Sequence, residues 1–259
     1  MIDTRSVFYY GNVVEVTSNT LRINEGAADV DVTIPSGRYS LSRYIEVVST
    51  AINSSLSDDY TVIVDRETRL VTIINDQANN FELKVADIFP LNSGFPILGF
   101  KTEVNLSGAS QYTSDSASGK AYFPQMKLQK YIDFEIQKEY LNGTVKESAD
   151  GVPEVVSFGL VEFMSCNIIS ITNREMIINS PMENNPTGYE DAVSFMDYLI
   201  TKGGIEFIPD RDNRDSFTTC ILESTPRSKS GIGYRLEENF KLLGFYETGT
   251  LTFRKTEGL

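Results

Sequence analysis

Apolar and polar residues alternate through much of the first hundred positions. Residues 29–34 read Asp-Val-Asp-Val-Thr-Ile, the pattern of a half-buried strand. Pro35 ends that strand, and Ser36-Gly37 turns the chain. Residues 7–16 are rich in β-formers, with Gly11-Asn12 as a turn or bulge, and residues 21–23 make a short second strand. After Ser40 the period changes. Leu41, Tyr44, Ile45, Val48 and Ile52 recur at helical spacing, which predicts a helix over 40–53 with one core-facing side. Ser40 is its expected N-cap, because its hydroxyl can accept from a first-turn amide. Residues 60–64 and 70–74 flank 65–69 as a hairpin with a longer loop. Residues 81–85 supply another strand. Ile97-Leu98-Gly99-Phe100 closes the block, with Gly99 suited to a turn or a close backbone approach.

Residues 107–119, Ser-Gly-Ala-Ser-Gln-Tyr-Thr-Ser-Asp-Ser-Ala-Ser-Gly, are small and polar, as expected of a flexible linker or an exposed loop. A second β-rich region begins at 127–136. Turns are expected at Gly143 and 150–153, and a strand or bulged pair at 154–163. Residues 167–172 and 175–178 flank a hairpin turn at Asn173-Arg174. Residues 182–188 read as a loop. Tyr189, Ala192, Val193, Met196, Leu199 and Ile200 predict a helix over 189–202, with Glu190 and Asp191 early and Gly203-Gly204 as its stop. Strands follow at 205–208 and 217–222, a short helix at 235–242, and a last strand at 250–254. The fold class is α+β, dominated by antiparallel β-sheet in a sandwich-like arrangement, with one amphipathic helix on each part. The parts are 1–106, the segment 107–119, and 120–259.

Composition narrows the chemistry. The chain has 259 residues and no His, so no His-containing triad or zinc site can form from it. Its two cysteines, Cys166 and Cys220, do not make a disulfide framework and are expected to be buried thiols. A formal charge of −13 argues against a phosphate-binding surface, which needs clustered Lys and Arg. No apolar run is long enough to span a bilayer. The first five residues lack the features of a signal peptide, so folding in a cytoplasm is expected.

Four clusters invite a chemical reading, and none satisfies its template. Residues 210–215, Asp-Arg-Asp-Asn-Arg-Asp, space acids alternately like a Ca²⁺ loop. They lack the following Gly and the distal Glu. Glu135 with Glu139, or Glu237 with Glu238, could be offered as a glycosidase pair, but sequence spacing fixes no cleft. Gly231-Ile232-Gly233-Tyr234 lacks the third Gly of a nucleotide loop. Residues 225–230 form a small basic loop, read as solvated or as a contact for an acidic neighbour or a phosphate. No catalytic, cofactor-binding or metal-binding residue is assigned, and no cofactor is expected.

The order Ile34-Pro35, Gly37, Tyr39-Ser40, a helix ending at Asn53, Tyr60 with Val62, Phe81 with Leu83, then Leu98-Gly99-Phe100 resembles a module of virion proteins from tailed bacteriophages and some large viruses. It covers about residues 20–105. Residues 193–202, 205–210, 231–236 and 245–249 are similar in style to β-rich tail, baseplate or neck components of long-tailed phages. The resemblance implies a non-enzymatic building block of a phage virion, assembled in the host bacterial cytoplasm. Its copies would close a ring and dock neighbouring tail proteins. DNA would be only cargo in an acidic lumen, with no membrane insertion and no small-molecule substrate. The alternative is a tail-fibre or host-attachment module that holds surface carbohydrate on Tyr and Phe faces.

Overall fold

Alternating sequences with one apolar face must pair and then stack, and this chain does both. A computed structural model describes residues 6–88, 92–101, 103–122, 126–127, 137–140, 144–147, 153–156, 160–169, 171–172, 192–201, 203–210, 212–225, 237–238 and 245–256. Among these, strands dominate and pair antiparallel, in an α+β architecture.

In the first part, a four-stranded sheet runs Asp29–Thr33, Thr20–Asn24, Phe81–Leu83, Leu106–Ala109. A three-stranded sheet runs Gln111–Thr113, Val71–Asn75, Tyr60–Val64. Helix α1 (Leu41–Ser55) lies against strands Asp29–Thr33 and Tyr60–Val64. Its buried residues are Leu41, Tyr44, Ile45, Val48 and Ile52, the face that the spacing selects. All but Leu41 join one apolar core with Leu21, Ile23, Val32, Ile34, Val71, Ile73, Phe81 and Leu83. The short helix α2 (Phe95–Leu98) ends at Gly99, whose φ is +89°. A Cβ there would sit 2.0 Å from the Ser116 carbonyl oxygen, so both the turn and the close approach demand glycine.

The polar run 107–119 is neither a free linker nor a loose loop. It contributes most of the Leu106–Ala109 strand and all of Gln111–Thr113. Its serines then tie the chain down. The Ser114 hydroxyl accepts from the Val71 amide at 2.9 Å, and the Ser118 hydroxyl donates to the Ile97 carbonyl at 2.9 Å. Small polar side chains suit it to that close packing, and composition alone reads the same as flexibility.

The second part is built on a sheet in the order Lys120–Tyr122, Val7–Tyr10, Ile205–Ile208, Thr218–Ser224, Thr250–Lys255, Leu160–Ile168, Met126–Lys127. Strand Gln137–Tyr140 also pairs with Leu160–Ile168. The strand Val7–Tyr10 therefore crosses into the sheet made by the distant half of the chain, between Lys120–Tyr122 and Ile205–Ile208. All four of its residues are buried. Helix α3 (Ala192–Ile200) covers one face of this sheet and inserts Phe195 among Phe8, Tyr10 and Tyr122, with ring centroids 4.9, 5.1 and 4.7 Å away. Its buried set is Ala192, Phe195, Met196, Tyr198 and Leu199. Val193 and Ile200, expected on that face, are only half-buried. The aromatic pair Phe195 and Tyr198 rotates the face, because Tyr198 turns back over Gly203, where a Cβ would meet its ring at 2.3 Å.

Residues 237–238, expected within a short helix, instead form a strand paired with Phe245–Glu247. The expected turns at 143 and 150–152, the hairpin turn at 173–174, the loop 182–188 and the helix ends 189–191 and 202 lie outside the described residues. No described helix is long and apolar enough to cross a membrane.

Candidate functional site

The strand Ile205–Ile208 carries one acid among apolar residues. Alternation sends Ile205 and Phe207 toward α3, and Glu206 and Ile208 to the opposite face. A carboxylate on that side would ordinarily meet water. Here α1 and the 65–69 loop of the first part cover it, and Glu206 is 0 % exposed.

Glu206 is held from two directions. One carboxylate oxygen accepts the Ser42 backbone N–H, and the other accepts from Arg66 Nη1 at 2.8 Å. Arg66 Nη2 donates to the Ser42 hydroxyl at 2.5 Å. The Arg66 guanidinium carbon lies 3.7 Å from the centroid of the Phe217 ring, a cation–π contact on its apolar flank. The Arg66 carbonyl in turn accepts the Tyr9 hydroxyl and Arg214 Nη1, each at 2.8 Å.

Local sequence explains why these groups are presented. Ser42 lies in the first turn of α1, where backbone amides have no partner inside the helix and the dipole favours an anion. Ser40 caps the neighbouring Arg43 amide at 3.4 Å, and Glu206, 164 residues away along the chain, takes the Ser42 amide. Arg66 projects from a loop that Asp65 organises. The Asp65 carboxylate accepts the Glu67 and Thr68 amides at 3.0 and 2.6 Å. Those bonds to Thr68 hold the Asp65 carboxyl below the ordinary carboxylate range. Arg69, buried at φ 60°, donates to the Gly119 carbonyl at 3.2 Å and sits 5.6 Å from the Tyr9 ring centroid. Burial pushes the Tyr9 hydroxyl up in pKa, against the pull of Arg214 and Arg69.

No protein-family model matches the chain, and no curated protein matches its sequence.

The joint is closed chemistry. The Glu206 carboxylate, sealed from solvent and bound by a guanidinium and an amide, has no exposed face. It can orient what it touches: the start of α1, the 65–69 loop and two strands of the large sheet. A small apolar cluster of Val7, Tyr9, Leu41, Ala121 and Ile208 packs beside it. Nothing in the sequence singles out Glu206. The available signals were an acid inside an apolar strand and an arginine in a hairpin loop, and both are common on surfaces.

The clusters weighed from sequence fall elsewhere. Beyond Pro209 the Asp210 side chain accepts the Asp212 amide at 3.1 Å, and the Arg214 guanidinium donates to the Arg66 carbonyl at 2.8 Å. Among the described residues no group of three or more metal-ligating side chains converges. Glu139 and the pair Glu237–Glu238 lie on strands. Residue 135, the 231–234 glycines and most of the 225–230 loop lie outside the described residues. Cys166 and Cys220 are free, buried thiols on two strands with Thr250–Lys255 between them. Cys166 pairs with Leu251 and Cys220 with Lys255, four residues further along that strand, so the thiols are offset along the sheet as well as separated by a strand, beyond disulfide reach.

The residues that carry the sequence resemblance do structural work. The Asn53 side chain donates to the Tyr60 carbonyl at 2.8 Å and accepts the Tyr60 amide at 2.7 Å, imitating a neighbouring strand at the outer edge of its sheet. The Tyr39 hydroxyl donates to the Pro35 carbonyl at 2.9 Å. Ile34, Tyr60, Val62, Phe81, Leu83, Leu98 and Phe100 are core.

Proposed function

We propose that this chain is a non-enzymatic structural component of a bacteriophage virion, part of a ring in the tail, baseplate or neck. The ordered set of residues 34–100 carries the reading. It resembles a virion module in sequence, and each member serves a cap, a turn, an edge or the core rather than a reactive centre. The large sheet and the first part share a buried charged joint, so the chain is suited to transmit contacts as one brick. Identical copies would close by heterologous contacts, with loops and strand edges meeting the neighbouring tail proteins. DNA would pass as cargo.

Electron microscopy of the purified full chain tests this. Closed rings of identical copies support it. A single copy or a trimer that retains cells or glycans would replace it with the host-attachment reading. Polymer degradation abolished by one carboxylate substitution would replace it with an enzyme.

A further inference from the structure

The contact between the two parts combines two physically different interactions. The cluster of Val7, Tyr9, Leu41, Ala121 and Ile208, with Val64 and Phe217 against it, is apolar. Such contacts resist separation but are non-directional, so they set no unique angle. The ion cluster is directional. Glu206 on the sheet binds the Ser42 amide at the start of α1 and Arg66 on the hairpin loop. Arg66 then bonds the Ser42 hydroxyl, and its carbonyl collects Tyr9 of the first strand and Arg214 of the 210–216 turn. Two points on the first part's surface, the Ser42 amide and the Arg66 guanidinium, are thereby fixed to one residue of the sheet.

A pair whose Glu206 side chain is 0 % exposed and whose Arg66 side chain is 18 % exposed is a poor source of net stability. Desolvating both charges offsets their attraction, and well-packed apolar replacements are often neutral or stabilising. We infer that the Arg66–Glu206 pair is an orienting lock: the apolar cluster holds the two parts together, and the pair fixes the one angle at which they sit. A one-residue slip of the Ile205–Ile208 strand would turn Glu206 into the α3 core and bring an apolar side chain to Arg66. The pair therefore penalises the wrong docking more than it rewards the right one. This inference does not depend on the virion reading, although a ring subunit needs such a fixed angle.

Hydrogen exchange on the full chain carrying Arg66→Met with Glu206→Met separates holding from orienting. The expected result is a melting temperature equal to or above that of the parent. Amides of residues 42–48 and 206–208 should lose protection by about tenfold or more, the signature of local opening. Amides of 71–75 and 251–253, inside the two cores, should keep theirs. Parent-like protection at the joint would overturn the lock, because orientation would then survive without it. Protection lost equally in both cores, or failure to fold, would also overturn it, because the pair would then be an ordinary stability element. Arg22→Met with Asp31→Leu, which removes the exposed pair bonded at 2.6 Å, should leave the joint unchanged, and joint opening there would contradict the assignment.

Discussion

At the scale of single residues, identity matters most where backbone and space leave one choice. Gly99→Ala adds a methyl against the Ser116 carbonyl at a positive φ. It should cost roughly 3 kcal/mol or more in denaturant unfolding. Gly26, also at positive φ but with nothing within 4 Å of the added Cβ, should lose only about 1 kcal/mol on the same change. Equal losses would mean that the Ser116 contact is irrelevant. Arg66→Met alone leaves the Glu206 charge buried and unpaired, so it should cost about 3–5 kcal/mol. A double-mutant cycle with Glu206→Met checks that coupling directly. The two thiols should resist modification while the chain is folded. Burial raises both in pKa, which keeps them as neutral, poorly nucleophilic thiols. A thiol-reagent titration at pH 8 should detect neither cysteine until denaturant is added, and rapid native labelling would contradict their burial.

At the scale of elements, α1 was legible in full: its cap, its five buried positions and its place before the hairpin follow from the letters. The hairpin loop 65–69 was legible as a loop, and the Asp65 bonds that shape it, to partners two and three residues away, come from the structure. The strand Val7–Tyr10 was legible as a strand but not as a member of the far sheet, since no local property names a partner some two hundred residues on. Burial of Glu206 was illegible for the same reason. The face of α3 was legible only in part, because periodicity tolerates a rotation that aromatic packing then fixes. Phe195 supplies the test. Its ring meets three others, so Phe195→Ala should destabilise by about 3–5 kcal/mol, against less than 1 kcal/mol for the exposed Asp197→Ala, each about the size expected for its burial. Asn53 makes a prediction of its own. Asn53→Leu strips the Tyr60 edge of both its bonds, at about 1–2 kcal/mol, and light scattering should report more self-association through the uncovered edge.

At the scale of the molecule, pH tolerance follows from the buried hydroxyls and thiols. Burial raises Tyr44, Tyr60, Cys166 and Cys220, and pushes Tyr198 up to about 12. A raised acid group stays protonated in the folded chain while its unfolded counterpart ionises. Stability is therefore full below the unfolded value, near 8.5 for Cys and near 10 for Tyr, and falls as pH rises above it. Denaturant midpoints measured from pH 7 to 11 should decline, steepest above 10. A midpoint that rises over that range would contradict the burial of these groups. Acid works in the opposite sense through Asp31 and Asp65, held low by Arg22 and by the loop amides. Their contribution is present at neutral pH and is lost as pH falls through their lowered values.

The proposed virion role requires assembly: copies of this chain, each with its Arg66–Glu206 pair, repeated around an axis. Native mass measurement of the purified full chain across micromolar concentrations addresses this most directly. The account predicts one discrete multiple of the 29.0 kDa chain mass, growing at the expense of single copies as concentration rises and appearing as a closed ring in projection. A single copy at every concentration, with no ring in projection, would contradict it.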